Sequence, residues 1–310
     1  MIELKNITKQ FGNFKALDNI SFKIEKGEIV GFLGQNGAGK TTTMKIITGL
    51  SEPTEGEVFL NNEKIGKKNK IRIGYMPENT PLYSSLTVRE FIDFMGEIKG
   101  IKKSERKNDV KELIEKLNLK DVENKIIKNI SRGYKQRTSL AGALIGNPEI
   151  LILDEPTVGL DPKQVVEIRN LIKSLQGKCT ILLSSHILSE ISQMCDRVII
   201  IDKGKIIATD KAENLEKQLN NNVINIIVED PKCNINNIKE RINDIKDIKF
   251  IKENDNNEKE YEIIVHNNKD IRKELMATMP QYDITIVELR KNRSSLEDVF
   301  VNLVQEEGDK

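Results

Sequence analysis

Gly34-Gln35-Asn36-Gly37-Ala38-Gly39-Lys40-Thr41-Thr42 is the stretch that decides the fold of this chain. It fits G-x-x-x-x-G-K-[ST], the P-loop pattern. An apolar run, Ile29-Val30-Gly31-Phe32-Leu33, comes before it, and residues 41–50 read as a helix after it. Strand, glycine-rich loop and helix in that order form a phosphate cradle. The glycines let successive backbone N–H groups curl around an anion, and the helix adds the positive end of its dipole. In such a loop Asn36, Gly37, Ala38, Gly39, Lys40, Thr41 and Thr42 are the candidate phosphate-binding residues. Lys40 reaches the β- and γ-phosphates, and the Thr41 hydroxyl is offered to Mg²⁺.

The 310 residues carry 49 basic and 48 acidic side chains, a net charge of +1. That balance lacks the basic excess of a nucleic-acid binder, so no nucleic-acid partner is expected. Cys179, Cys195 and Cys233 are scattered, with no C-x-x-C pair, as in reduced cytosolic proteins. The N-terminus has no apolar signal region, and no run approaches the ~18 apolar residues of a membrane span. A cytoplasmic location follows as the expectation, with any membrane role exercised through a partner.

Outward from the P-loop, residues 1 to about 75 alternate in strand fashion, with Ile2-Glu3-Leu4, Ile20-Ser21-Phe22-Lys23-Ile24, Val58-Phe59-Leu60 and Ile71-Arg72-Ile73. Over about 86–146 the period turns helical. Thr87-Val88-Arg89-Glu90 is a capping box, followed by a stripe of Phe91, Phe94, Met95 and Ile98. Val110, Leu113, Ile114 and Leu117 mark a second helix. Short apolar runs at 150–153, 180–183 and 198–201 then read as doubly buried strands. Helical segments at 164–175 and 188–195 lie between them, which argues a parallel α/β core. Lys203-Gly204 turns into a last strand at 205–209.

Near residue 215 the composition shifts. The tail reads strand 223–228, helix 234–242, strands 248–252 and 261–265, helix 271–279 and strand 284–288. This is a β-α-β-β-α-β order of ferredoxin-like type. A final helix is expected from Ser294, with Leu296, Val299, Phe300, Leu303 and Val304 on one face. The chain therefore divides into a domain over 1–214 and an accessory α+β domain over 215–310.

A second chemical signal follows in the run Ile150-Leu151-Ile152-Leu153-Asp154-Glu155, an apolar strand ending in two acids. Asp154, at the carboxyl end of a buried strand, can reach the Mg²⁺ shell beside Thr41. Glu155 can orient or deprotonate a water in line with the γ-phosphate. His186 follows the strand at 180–183, at the usual ligand edge of such sheets, where it can bond the γ-phosphate or hold the water. Ser131-Arg132-Gly133 opens another helix, with Ser131 at an N-cap and Gly133 permitting close backbone approach: a second anion site. One nucleotide on one chain does not need both sites. A second copy lending its helix tip gives both a use.

Taken together, these residues resemble the ATP-binding subunits of ABC transporters over essentially the first 215 residues. The resemblance rests on the P-loop, the signature-like Ser131-Arg132-Gly133-Tyr134-Lys135-Gln136, Leu153-Asp154-Glu155-Pro156, and His186 in the family's order and spacing. Gly159-Leu160-Asp161-Pro162 looks like the D-loop, and Phe11 stands where the family places an aromatic on adenine. The implied fold is the ABC cassette: a RecA-like core, an antiparallel β subdomain and a helical subdomain. The implied assembly is a head-to-tail homodimer with two Mg-ATP between the copies, Ser131, Gly133 and Asp161 facing the partner's nucleotide. Pro77-Glu78-Asn79, the variant signature and Ser295-Leu296-Glu297-Asp298-Val299-Phe300 look like the ABC-2 type exporter branch, whose cassettes sit beneath a separate membrane permease.

Two positions depart from the family pattern. Glu78 replaces the usual Gln ligand to Mg²⁺, and Arg132 replaces the signature's second Gly. Arg132 is expected to pair with a phosphate or a partner acid, or else to be a solvated cap residue. Tyr83 and Leu82 are candidates for the surface that meets the permease. Lys64, Lys67, Lys68 and Lys70 form a basic cluster expected to be a solvated loop. A non-transport cassette that clamps nucleic acid or a soluble complex is the competing reading. It usually needs two cassettes or a long coiled coil in one chain. A GTPase would need N-K-x-D, which is absent.

Overall fold

The computed structural model describes residues 1–66, 73–187, 190–191, 193–211, 214, 223–230, 235–254, 258–266 and 269–291. It divides into two compact units, Met1–Ala212 and Glu213–Lys310.

In the first unit, β1 (Ile2–Phe11), β2 (Phe14–Ile24), β4 (Glu55–Leu60) and β5 (Glu63–Lys64) form an antiparallel sheet in the order β2-β1-β4-β5. Their alternating pattern buries Ile2, Leu4, Ile20, Phe22 and Ile24 and leaves intervening positions to solvent. The second sheet combines β3 (Ile29–Leu33), β6 (Ile73–Met76), β7 (Ile150–Leu153), β8 (Thr180–Ser185), β9 (Arg197–Asp202) and β10 (Lys205–Asp210) in the order β10-β9-β3-β8-β7-β6. It is parallel except for β10, which returns through the Lys203-Gly204 turn, both residues at positive φ. The strand-like region before residue 76 thus feeds two sheets. β3 is buried throughout, which is the mark of a central parallel strand. Phe22 and Phe32 meet at 5.7 Å where the two sheets share one core.

Helix α1 (Lys40–Ile47) follows the P-loop. It is shorter than the expected 41–50, because Gly49 at φ 66° takes the chain out of the helix. Helices α2 (Val88–Ile98), α3 (Lys103–Lys116) and α4 (Arg132–Leu144) make the helical part, and the expected capping box is present at Thr87 and Glu90. The buried face of α2 differs from the expected stripe. Phe91 and Met95 of that stripe pack on Gly142 of α4 and Phe94 is half-buried, but Ile98 is 62% exposed, while Val88, Ile92 and Gly96 join the buried face, with Arg106 of α3 against Gly96. Helix α5 (Pro162–Ser174) follows β7 and leads into β8. In the 188–195 segment, Glu190 and Ile191 are helical, while residues 188, 189 and 192 lie outside the described residues.

The second unit has β11 (Val223–Glu229), α6 (Ile235–Arg241), β12 (Ile245–Glu253), β13 (Glu258–Val265), α7 (Arg272–Thr278) and β14 (Thr285–Lys291). Its antiparallel sheet runs β12-β13-β11-β14. This is the β-α-β-β-α-β order, with alternate residues Ile224, Ile226 and Val228 buried against Ile238 and Leu275. The expected helix from Ser294, the strand residues 71–72 and the lysines at 67, 68 and 70 lie outside the described residues.

Candidate functional site

The P-loop connects the carboxyl end of β3 to α1. Its glycines are required by crowding and by backbone angle. A Cβ on Gly34 would lie 2.5 Å from the Ile201 carbonyl oxygen, and Gly39 sits at φ 115° with Leu17 and Ala16 against it. Gly39 is the N-cap of α1. It offers no side-chain bond, and no acid occupies the first helical turn. The first N–H groups of α1 therefore point outward unsatisfied, a ready anion site.

Around that tip lies a cavity of about 370 Å³ lined by Phe11, Phe14, Ala16, Gln35, Asn36, Gly37, Gly39, Lys40, Thr41, Thr42, Glu78, Asp154 and Glu155. Ten of the residues expected from sequence are in that lining. Ala38 is not: it is buried, and its N–H closes the loop on the Gln35 carbonyl at 3.1 Å.

Register brings the acids to this cavity. Leu153 on β7 pairs with Leu183 on β8, so Asp154 and Glu155 emerge beside Ser184. Thr41 Oγ1 donates to Asp154 Oδ2 at 2.8 Å, and Ser184 Oγ donates to Asp154 Oδ1 at 2.6 Å. Glu155 holds a left-handed φ of 50°, a strained position for a residue with a Cβ, and its N–H donates to Ser184 Oγ at 2.9 Å. Lys40 Nζ donates to the Gly34 carbonyl at 2.7 Å and the Gln35 carbonyl at 3.3 Å, and stands 3.5 Å from Glu155 Oε1. Both ends of that ion pair are 7% exposed, and Glu155 Oε1 accepts no hydrogen bond. The other carboxylate oxygen, Oε2, is 2.9 Å from His186 Nδ1. Beside β7, the Tyr75 hydroxyl is pushed up to about 12 by burial, with the Asp154 charge adding to it.

The signature residues lie elsewhere on the chain. Ser131 occupies the N-cap of α4, yet its hydroxyl makes no capping bond. Neither Ser131 nor Gly133 lines the cavity. Asp161 caps α5, accepting the Gln164 N–H at 2.9 Å. Arg132 is exposed at the start of α4, has no acidic partner among the described residues, and lays its guanidinium against Gly159. Ser184, Phe14, Ala16 and Gln35 were not expected. Phe14 had a legible signal, an aromatic three residues from Phe11 across a turn. Ser184 had none, because only the β7–β8 register puts it between the acids.

A carboxylate pair, a lysine and a helix tip around one cavity are a triphosphate site in chemical terms. The ABC transporter family profile matches residues 17–158. The bacitracin transport ATP-binding protein BcrA of Bacillus licheniformis is 35% identical over 309 residues, 98% of this chain and 97% of that one. This chain belongs to the ABC transporter ATP-binding proteins. The linearmycin resistance ATP-binding protein LnrL of Bacillus subtilis strain 168 is 32% identical over 98% of both chains. A dimeric ATP-binding cassette solved in a post-hydrolysis state with ADP and Pi superposes with a TM-score of 0.63 at 30% identity, over 68% of this chain and 99% of that one. The ABC subunit is thus an ATP-binding ATPase coupled to transport, built on the cassette fold, and a membrane permease is its implied partner. Among its described residues no helix is long and apolar enough to cross a membrane.

Proposed function

We propose that this subunit pairs with a second copy around two Mg-ATP and drives an export permease of the ABC-2 type. The observation that carries the proposal is the arrangement of Lys40, Thr41, Asp154 and Glu155 on one cavity wall at the tip of α1. Arriving phosphates satisfy the α1 N–H groups and compete with Glu155 for Lys40, which leaves the Glu155 carboxylate free to act. Phe11 and Phe14 flank the base at the far end of the cavity.

Thr41, Asp154 and Glu78 are the residues that would hold Mg²⁺. Among the described residues no group of three or more His, Cys, Asp or Glu side chains converges at metal spacing. Thr41 Oγ1 and Asp154 Oδ2 lie 2.8 Å apart in the cavity that Glu78 also lines, an oxygen-only set that suits a hard cation whose remaining ligands come from nucleotide and water. When bound, Mg²⁺ neutralises charge on the β- and γ-phosphates. Glu155 deprotonates the attacking water, and His186, bonded to it, orients the carboxylate and meets the γ-phosphate.

The unengaged Ser131 hydroxyl and the Gly133 backbone serve the partner's γ-phosphate, with Asp161 at the same interface. ATP then holds the closed dimer, and hydrolysis releases it. Tyr83, 52% exposed and edge-on to Phe94 at 5.2 Å, offers an apolar surface for the permease beneath the membrane. Full-length relatives named for bacitracin transport and linearmycin resistance support the export branch.

Glu155→Gln tests the proposal. Turnover should fall by roughly 10²–10⁴, the usual worth of a general base, while saturating Mg-ATP traps a dimer visible by size-exclusion light scattering. Normal turnover, or a variant that stays monomeric with ATP and with its permease, overturns it.

A further inference from the structure

The tip of α4 and the loop after Glu155 are keyed into one another. A Cβ on Gly159 would lie 2.3 Å from Arg132 Cζ and 2.4 Å from its Nε, so the guanidinium occupies the space a side chain would fill. One residue further along α4 the roles reverse. A Cβ on Gly133 would lie 2.4 Å from Gln164 Oε1, so the Gln164 side chain fills the space above that glycine. Gln136 Nε2 donates to the Pro156 carbonyl at 3.1 Å, and Arg137 pairs with Glu167 on α5.

The two elements differ in how they are bonded and buried. Helix α4 is buried continuously from Thr138 to Leu144. Within itself the 156–161 loop has only long backbone turn bonds, Val158 N–H to the Glu155 carbonyl at 3.3 Å and Leu160 N–H to the Thr157 carbonyl at 3.2 Å; its first residues are tied from outside, by Gln136 on the Pro156 carbonyl and by the Thr157 hydroxyl on Glu190, and Gly159 is exposed beyond them. Arg132 reaches from the helix tip to the Gly159 end of that loop, beyond the residues that Gln136 and Glu190 hold. Among the described residues it has no acidic partner, so the contact is planar packing on backbone and not an ion pair.

We propose that Arg132 is a positioning residue that fixes the 155–161 loop, and with it Glu155, to the α4 tip of its own chain. The inference rests on the sandwich dimer proposed above. In that dimer α4 meets one nucleotide and Glu155 serves the other, so the Arg132–Gly159 contact is where occupancy of one site reaches the general base of the second.

Mixed dimers separate this role from a direct contact of Arg132 with the partner's phosphate. Two chains with different affinity tags are co-expressed with the permease, one carrying Glu155→Gln, so that a single competent site remains. Placing Arg132→Ala on the chain that keeps Glu155 should lower ATP turnover about tenfold or more, as expected for a misplaced base, with KM for ATP within about twofold. Arg132→Lys, which keeps the charge without the plane, should do the same. Placing Arg132→Ala on the Glu155→Gln chain should leave the mixed dimer's rate unchanged. The opposite pattern, or rescue by Lys, overturns the inference in favour of a phosphate contact. Equal loss in both placements, with a lowered urea midpoint, reduces Arg132 to a general structural role and also overturns it. If mixed dimers do not form with Mg-ATP, the sandwich itself fails.

Discussion

Ser184 Oγ donates to Asp154 Oδ1 at 2.6 Å, and the same oxygen accepts the Glu155 N–H at 2.9 Å. One hydroxyl on β8 thereby fixes both acids at the end of β7. Ser184→Ala should leave the fully buried Asp154 short of a donor and the strained Glu155 N–H unpaired. The expected loss is about 1–3 kcal/mol of stability in urea unfolding, the penalty for an unsatisfied buried group. ATP turnover should also drop about tenfold, because the base is no longer held in place. Unchanged values of both would remove Ser184 from the site.

Phe11 and Phe14 pair across the tip of the β1–β2 hairpin and are 54% and 64% exposed, a high exposure for two phenyl rings lining one cavity. Phe14→Ala should weaken ATP binding about fivefold, the worth of about 1 kcal/mol of stacking, and leave kcat unchanged. Titration with a fluorescent nucleotide reads this directly. Wild-type affinity in Phe14→Ala would confine the base contact to Phe11.

Gly133 faces the Gln164 side chain of its own chain. Gly133→Ala should therefore displace Gln164 and cut turnover about tenfold, through the disturbed α4–α5 contact. Gln164→Ala makes room, so the double variant should recover most of the rate. A double variant as slow as Gly133→Ala alone would mean that the added methyl acts on the partner's nucleotide instead.

Lys99 Nζ donates to three carbonyls at the end of α4: Gly142 at 3.3 Å, Ala143 at 2.9 Å and Ile145 at 2.8 Å. Burial pushes its ammonium down to about 8. The folded value lies below the unfolded one of about 10.4, so burial of the charge opposes folding in full below pH 8, and the opposition fades between pH 8 and about 10.4. Relative to Lys99→Met, the wild type should gain stability over that window and hold a constant difference below it. Urea midpoints of both proteins at pH 6.5, 7.5 and 9.5 check the sign. Parallel profiles would mean that the three carbonyls offset the burial.

The sequence by itself determined the phosphate cradle, the acid pair and the order of strands and helices. Each of these is local: glycines, Lys40 and Thr41 are consecutive, and the apolar run at 150–153 announces Asp154 and Glu155 by where it stops. The boundary before the tail was legible in the change of composition near residue 215, and the chain divides into compact units at Ala212 and Glu213. What faces what was not legible. The stripe of α2 meets α4 through Phe91 and Met95, but the close approach of Arg106 of α3 at Gly96 adds Ile92 and Gly96 to the buried face, and Ile98 lies outside. Ser184 joined the site through the pairing of β7 with β8, and Arg132 met Gly159 through the packing of α4 on a loop more than twenty residues further along the chain. Contacts of that kind depend on strand register and on the space a glycine leaves, and these are properties of elements brought together in three dimensions, which no short stretch of sequence carries.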